Sequence, residues 1–146
     1  MKSNAFAKPI YIVDAARTPF LKARTERGPF AASDLAVTAG KDILSRQAFS
    51  PETIDEVVVG CMMPSEDEAN IGRIISLRLG CGESTPGWTV QRNCASGMQA
   101  IDSALKDIAV GRANLVLAGG TEAMSRAPLI FKPEMANWFS RFSRAK

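Results

Sequence analysis

Short apolar runs alternate with amphipathic stretches along most of this chain. Ile10-Tyr11-Ile12-Val13, Val57-Val58-Val59-Gly60, Trp88-Thr89-Val90 and Leu115-Val116-Leu117-Ala118 are β-branched, aromatic or leucine-rich runs of strand length. Val57-Val58-Val59 has no polar alternation, which predicts a strand covered on both faces. Between the runs the period changes to that of a helix. Leu35, Ala39, Ile43 and Leu44 give one apolar face through about Gln47, with Ser33 or Asp34 as the expected cap. Ile71, Ile74, Ile75 and Leu79 give a second face over residues 69–79, ending at Gly80. Met98, Ile101, Leu105 and Ile108 give a third, with Gln99, Asp102, Lys106 and Asp107 between them and Gly111 placed to end the helix. Ser50-Pro51-Glu52-Thr53 reads as a short helical start, with proline at the tolerated first position. Four strands alternating with helices predict a parallel α/β sheet with right-handed crossovers. Residues 1–8 carry no pattern and read as a frayed end, and the stretch up to Pro29 reads as a loop.

Composition narrows the class. With 146 residues, 46% of them hydrophobic and 23% charged, the chain is the size of one ordinary globular domain with a real core. The net charge of +3 is small and its cations are scattered, so no nucleic-acid footprint is visible. No apolar run approaches the roughly 18 residues of a membrane span, and no targeting pattern precedes Pro9, so the expectation is a cytoplasmic protein. Three cysteines without paired spacing point to a reducing compartment rather than a disulfide framework. With no histidine, a zinc site is not expected either.

The chemistry concentrates at Val90-Gln91-Arg92-Asn93-Cys94-Ala95-Ser96-Gly97-Met98. There a strand ends, one cysteine follows, and a helix begins among small residues that leave the approach to the sulfur open. Backbone N–H groups at a helix start lack intrahelical partners, and the macrodipole there favours negative charge, so a thiolate is stabilised. Ligand sites of parallel α/β sheets lie beyond the carboxyl ends of strands, where Cys94 falls. Asn93 reads equally as a donor to nearby backbone and as a plain strand-end polar residue, and Ser96 reads as a helix-start cap. Cys61 and Cys81 read as structural or incidental, although the glycines flanking Cys81 suggest an exposed thiol.

Asn93-Cys94-Ala95-Ser96-Gly97 resembles the acyl-enzyme cysteine motif of the thiolases. Ala118-Gly119-Gly120-Thr121-Glu122-Ala123-Met124-Ser125-Arg126-Ala127-Pro128 resembles that family's glycine-methionine segment, and Asp14-Ala15-Ala16-Arg17-Thr18-Pro19-Phe20 its opening strand and loop. The three matches occur in the family's order and cover nearly the whole chain, but only about the first third of a typical thiolase. Gln91 stands where many members carry a small polar residue, a difference that bears on fine substrate specificity. The resemblance implies one incomplete half of a layered thiolase-like α/β fold, with a mostly parallel sheet flanked by helices. Residues 1–128 are then the N-terminal half, and residues 129–146 the start of a loop region.

The same resemblance implies acyl transfer between an acyl-CoA or 3-ketoacyl-CoA and CoA or acetyl-CoA, through an acyl group on Cys94. Coenzyme A thioesters are then substrates, and no separate cofactor is needed. The Cys94 N–H is expected to contribute to an oxyanion hole, and Gly119, Gly120 and Met124 to support the site. A homo-oligomer is implied, with no nucleic-acid or membrane partner. Thiolases use a histidine and a second cysteine from C-terminal motifs that this chain does not contain, so turnover by these residues alone is not expected. A ketosynthase-like condensing enzyme and a non-catalytic assembly domain are the alternatives.

Overall fold

The computed structural model describes residues 9–23 and 26–144. Its elements in chain order are α1 (Ala32–Ser45), a 3-10 turn (Pro51–Thr53), β1 (Glu56–Gly60), α2 (Ile71–Arg78), β2 (Gly87–Val90), α3 (Ser96–Ala109), β3 (Val116–Gly120), a second 3-10 turn (Met124–Arg126) and α4 (Pro133–Arg144).

The three strands form a parallel sheet in the order β2-β1-β3, with Val57 opposite Gly87 and Glu56 opposite Val116. From β1 the chain crosses to one neighbour and then from β2 over β1 to the other side. Right-handed crossovers therefore put α2 and α3 on opposite faces. Side chains follow the two-residue alternation of a strand. Val57 and Val59 join Val37, Ile71, Ile75 and Leu79 in the core under α1 and α2. Val58, also fully buried, points to the α3 face, where Ala100 and Ala104 are buried. This explains why the valine run has no polar alternation: β1 is central and covered on both sides. Each such buried valine or isoleucine contributes about 1.5–3 kcal/mol.

Helix ends follow local chemistry. Asn70 caps α2 by accepting the Arg73 N–H at 3.3 Å. Beyond α3, Gly111 takes a left-handed φ of 77° and its N–H bonds the Ile108 carbonyl, closing the helix. At α1 the cap differs from expectation. The cap residue is Ala31, and Asp34, three residues on, reaches back to accept the Ala31 N–H at 2.9 Å. Ser33 lies buried inside the first turn, its N–H bonded to Glu68 Oε1 at 2.9 Å.

Two expected features are corrected. Ile10-Tyr11-Ile12-Val13 forms no strand, and Tyr11, Ile12 and Val13 are 75%, 80% and 75% exposed. A strand needs a partner's backbone, and this segment has none among the described residues. It is tied down instead by Asp14, whose carboxylate accepts from Arg46 Nη2 at 3.0 Å and Gln47 Nε2 at 2.6 Å. The sheet accordingly has three strands among the described residues, not four. Within the tail expected as loop, residues 133–144 form α4, whose exposed Trp138 stacks on Phe142 with ring centroids 5.4 Å apart. The expected frayed end, residues 1–8, lies outside the described residues. No helix among them is long and apolar enough to cross a membrane.

Candidate active site

β1 leads to α2 on one face of the sheet, whereas β2 leads to α3 on the other, so the chain diverges between the carboxyl ends of these neighbouring strands. Crevices at such divergences are where parallel sheets bind ligands. Cys94 stands at this one.

The turn from β2 into α3 is tightly tied. Ala95 N–H bonds the Arg92 carbonyl at 3.0 Å, and Ser96 N–H bonds the Asn93 carbonyl at 3.1 Å. Asn93 has a φ of 48°, the left-handed region that a non-glycine residue enters at a cost of roughly 1–3 kcal/mol. Ala95 is the N-cap of α3 and offers no side-chain cap. Cys94 itself is exposed. Ser96 is buried and is not the cap expected of it: its hydroxyl turns back, accepting the Arg92 N–H at 2.8 Å and donating to the Asn93 carbonyl at 2.7 Å.

The first turn of α3 lies directly on the strand ends. Gly60 and Gly120 are opposite each other in the β1–β3 register. A Cβ on Gly60 would fall 2.2 Å from the Ser96 carbonyl carbon, and one on Gly120 would fall 2.8 Å from the Gly97 Cα. The helix start is therefore seated by main-chain contact, with no side chain between. Gly119, by contrast, has open space where its Cβ would be, and Met124 is exposed. Of the three residues expected to support the site, Gly120 is packed against the first turn of α3.

Glu122 organises the loop after β1. Its carboxylate accepts the Met62 N–H at 2.9 Å and the Met63 N–H at 3.3 Å, and lies 3.6 Å from Cys61 Sγ. The Gln91 side-chain amide donates to the Met62 carbonyl, joining this loop to the Cys94 turn. Gln91 and Glu122 were not recognisable as partners in the sequence, because they stand 31 positions apart and meet only through Met62. Ser96 could have been noticed from its spacing to Asn93, three residues earlier, the reach of a side chain back to a turn carbonyl.

The other two thiols are removed from this chemistry. Burial, reinforced by the Glu122 charge, pushes the Cys61 thiol up to about 12. Cys81, expected to be exposed, is 1% exposed, and burial raises its pKa as well. Its glycine neighbours shape a turn that tucks the side chain inward, with its N–H bonded to the Ser76 carbonyl at 3.1 Å. Among the described residues no group of three or more histidine, cysteine, aspartate or glutamate side chains is placed to hold a metal ion.

Comparison with known proteins agrees with this architecture. The family described as Thiolase, N-terminal domain, matches residues 10–142. The chain is 40% identical over 125 residues to the mitochondrial 3-ketoacyl-CoA thiolase of Homo sapiens, covering 85% of this chain and 32% of that protein. It is likewise 40% identical over 129 residues to the beta-ketoadipyl-CoA thiolase of Pseudomonas knackmussii, covering 85% and 31%. Among solved structures, the human mitochondrial 3-ketoacyl-CoA thiolase in complex with CoA superposes with a TM-score of 0.72 at 41% identity, covering 80% of this chain and 30% of that one. A thiolase from Ascaris suum in complex with coenzyme A gives 0.78 at 32% identity, covering 84% and 32%. The chain spans about a third of the length of the curated relatives it matches. A match through nearly all its residues, joined to this parallel sheet, means that the chain belongs to the thiolase family and corresponds to its N-terminal domain.

Proposed function

We propose that Cys94 is the acyl-accepting nucleophile of a thiolase-type acyl transfer. The observation that carries the reading is the presentation of Cys94: the exposed thiol of the three, on a left-handed turn at an uncapped helix start, beyond the carboxyl ends of parallel strands. In the first half-reaction the sulfur attacks the thioester carbonyl of an acyl-CoA. A bond forms between Sγ and the acyl carbon, the bond to the CoA sulfur breaks, and the departing CoA thiolate takes a proton. One thioester replaces another, so the exchange is nearly neutral in free energy. The developing oxyanion is met by the Cys94 N–H, in the manner of helix-start donors. The acyl group then passes to CoA, or to the carbanion of acetyl-CoA, as ping-pong chemistry requires.

The substrates are coenzyme A thioesters, and no further cofactor enters the scheme. The chain has no histidine, and both remaining thiols are buried, so these residues offer no partner to move the protons of the second step. The half-reaction, rather than turnover, is what the chain supports.

Intact-protein mass after incubation with acetyl-CoA tests the reading. A single acetyl adduct, lost in Cys94→Ala, is expected. An adduct of equal yield on both proteins, or none on the folded wild type, would remove the assignment.

A second reading has one observation in its favour. β2 lies at the sheet edge with one side unpaired, the arrangement through which a non-catalytic domain would pair with a second copy. A strictly monomeric species at high concentration would count against it.

A further inference from the structure

We infer that Ser96 is the positioning residue for Cys94, acting through the backbone of Arg92 and Asn93. The inference rests on the reading of Cys94 as acyl acceptor.

Cys94 is exposed, and among the described residues no side chain hydrogen-bonds its sulfur. The direction of the sulfur is set by the conformation of the turn. The turn contains a left-handed asparagine, a conformation that a non-glycine residue keeps where its surroundings determine it. Ser96 is what holds it. The Asn93 carbonyl receives two donors, and both belong to Ser96: its N–H at 3.1 Å and its hydroxyl at 2.7 Å. The same hydroxyl accepts the Arg92 N–H at 2.8 Å, so one buried oxygen closes both sides of the bend.

The order of residues gives the arrangement its use. A serine at the N-cap would turn its oxygen forward onto the N–H groups of the first helical turn. Here the N-cap is Ala95, which has no oxygen to offer, and the serine one position later points backward. No side chain caps the helix start, so the Ser96 hydroxyl closes the turn without occupying the Cys94 N–H. Acyl transfer to Cys94 needs both properties at once: a fixed sulfur, and N–H donors free for the oxyanion.

Two reagents separate positioning from simple accessibility. p-Nitrophenyl acetate acylates the thiolate through a tetrahedral oxyanion; a bond forms from Sγ to the acetyl carbon and p-nitrophenolate leaves with the electron pair. Iodoacetamide alkylates the same sulfur with loss of iodide and makes no oxyanion. Rates for both are measured on wild type, Ser96→Ala and Ser96→Thr by intact mass, with Cys94→Ala as background. Misplacement by about an ångström costs up to about a hundredfold in such reactions, so acylation of Ser96→Ala is expected to fall at least about tenfold. Alkylation should stay within about twofold, and Ser96→Thr, which keeps the hydroxyl, should recover most of the acylation. Acylation of Ser96→Ala at the wild-type rate would overturn the inference, as would equal losses with both reagents or no recovery in Ser96→Thr. A wild type that takes no acetyl group from acetyl-CoA would sink the proposed function instead, while the ratio of the two rates would still decide the role of Ser96.

Discussion

Replacing Gly60 by alanine adds one methyl group where the structure has no room for it. The new Cβ would lie 2.2 Å from the Ser96 carbonyl carbon, 2.3 Å from its oxygen and 2.5 Å from the Gly97 nitrogen. All three are backbone atoms, so no rotamer change relieves the contact. Real Cβ contacts essentially never fall under 3.0 Å, so the closest pair must separate by at least 0.8 Å, the difference between 3.0 and 2.2. β1 cannot recede, because β2 and β3 flank it and α1 and α2 cover its far face. The start of α3 has to move instead, and Cys94 moves with it. Overpacking of this kind costs about 1–3 kcal/mol, and a contact closed on both sides belongs at the upper end. For a chain of this length about 3 kcal/mol corresponds to a melting temperature lower by roughly 10 °C. Thermal unfolding followed by circular dichroism measures it, with Gly119→Ala as internal control, since its Cβ meets nothing within 4 Å. Gly60→Ala melting within about 2 °C of wild type would refute the claim that main-chain contact seats the helix.

Three further outcomes follow from the same geometry. Titration of the folded chain with iodoacetamide at pH 8 should label one thiol, Cys94, with Cys61 and Cys81 reacting only after unfolding; two labels on the folded protein would contradict their burial. Glu122→Gln places an amide N–H₂ against one of the two backbone donors that the carboxylate now accepts, and should lower stability by about 1–3 kcal/mol in urea unfolding. An unchanged midpoint would show the loop after β1 to be held by something else. Burial alone would raise the pKa of Glu68, but the hydrogen bonds from Ser33 and Ser65 prevail and hold it below its ordinary 4.5. A depressed folded value means the stabilisation is present above 4.5 and is lost as pH falls through the folded pKa. Urea midpoints should therefore drop on acidification in this range, and Glu68→Gln should flatten that limb; an equally steep limb in the variant would assign the loss to other carboxylates.

Much of the fold could be read from local pattern. The unbroken Val57–Val59 run marked a strand covered on two faces, and the helical period after Met98 with Gly111 behind it marked α3 and its end. Both features depend on residues near one another in the chain. What escaped depends on distant ones. Ile10-Tyr11-Ile12-Val13 has the composition of a strand, but composition cannot supply the neighbouring backbone that makes one. Cys81 sits between glycines as an exposed thiol would, yet Thr85, whose hydroxyl bonds the Cys81 carbonyl, helps fold that turn inward. Gly60 looked like a strand terminator, because its contact with Ser96 crosses 36 residues and leaves no mark in the pattern. At the site, Cys94 stood out through the resemblance of its motif, whereas the backward turn of Ser96 required knowing that Ala95, not Ser96, is the N-cap of α3.

The placement of β1 also governs when the protein can acquire its structure. This strand is made first but lies in the middle of the sheet, so its partners arrive late: Val57 pairs with Gly87 and Leu117, 30 and 60 residues downstream. At a synthesis rate of about 5–20 residues per second, the second partner follows it by roughly 3–12 s. Through that interval a stretch of three consecutive valines lacks its β3 edge, and for the first half of it the β2 edge as well. Parallel pairing admits no hairpin shortcut, because each crossover must be completed before its strand can dock. The residues that become the most protected in the folded protein are thus, during its synthesis, among the most vulnerable to the wrong partner.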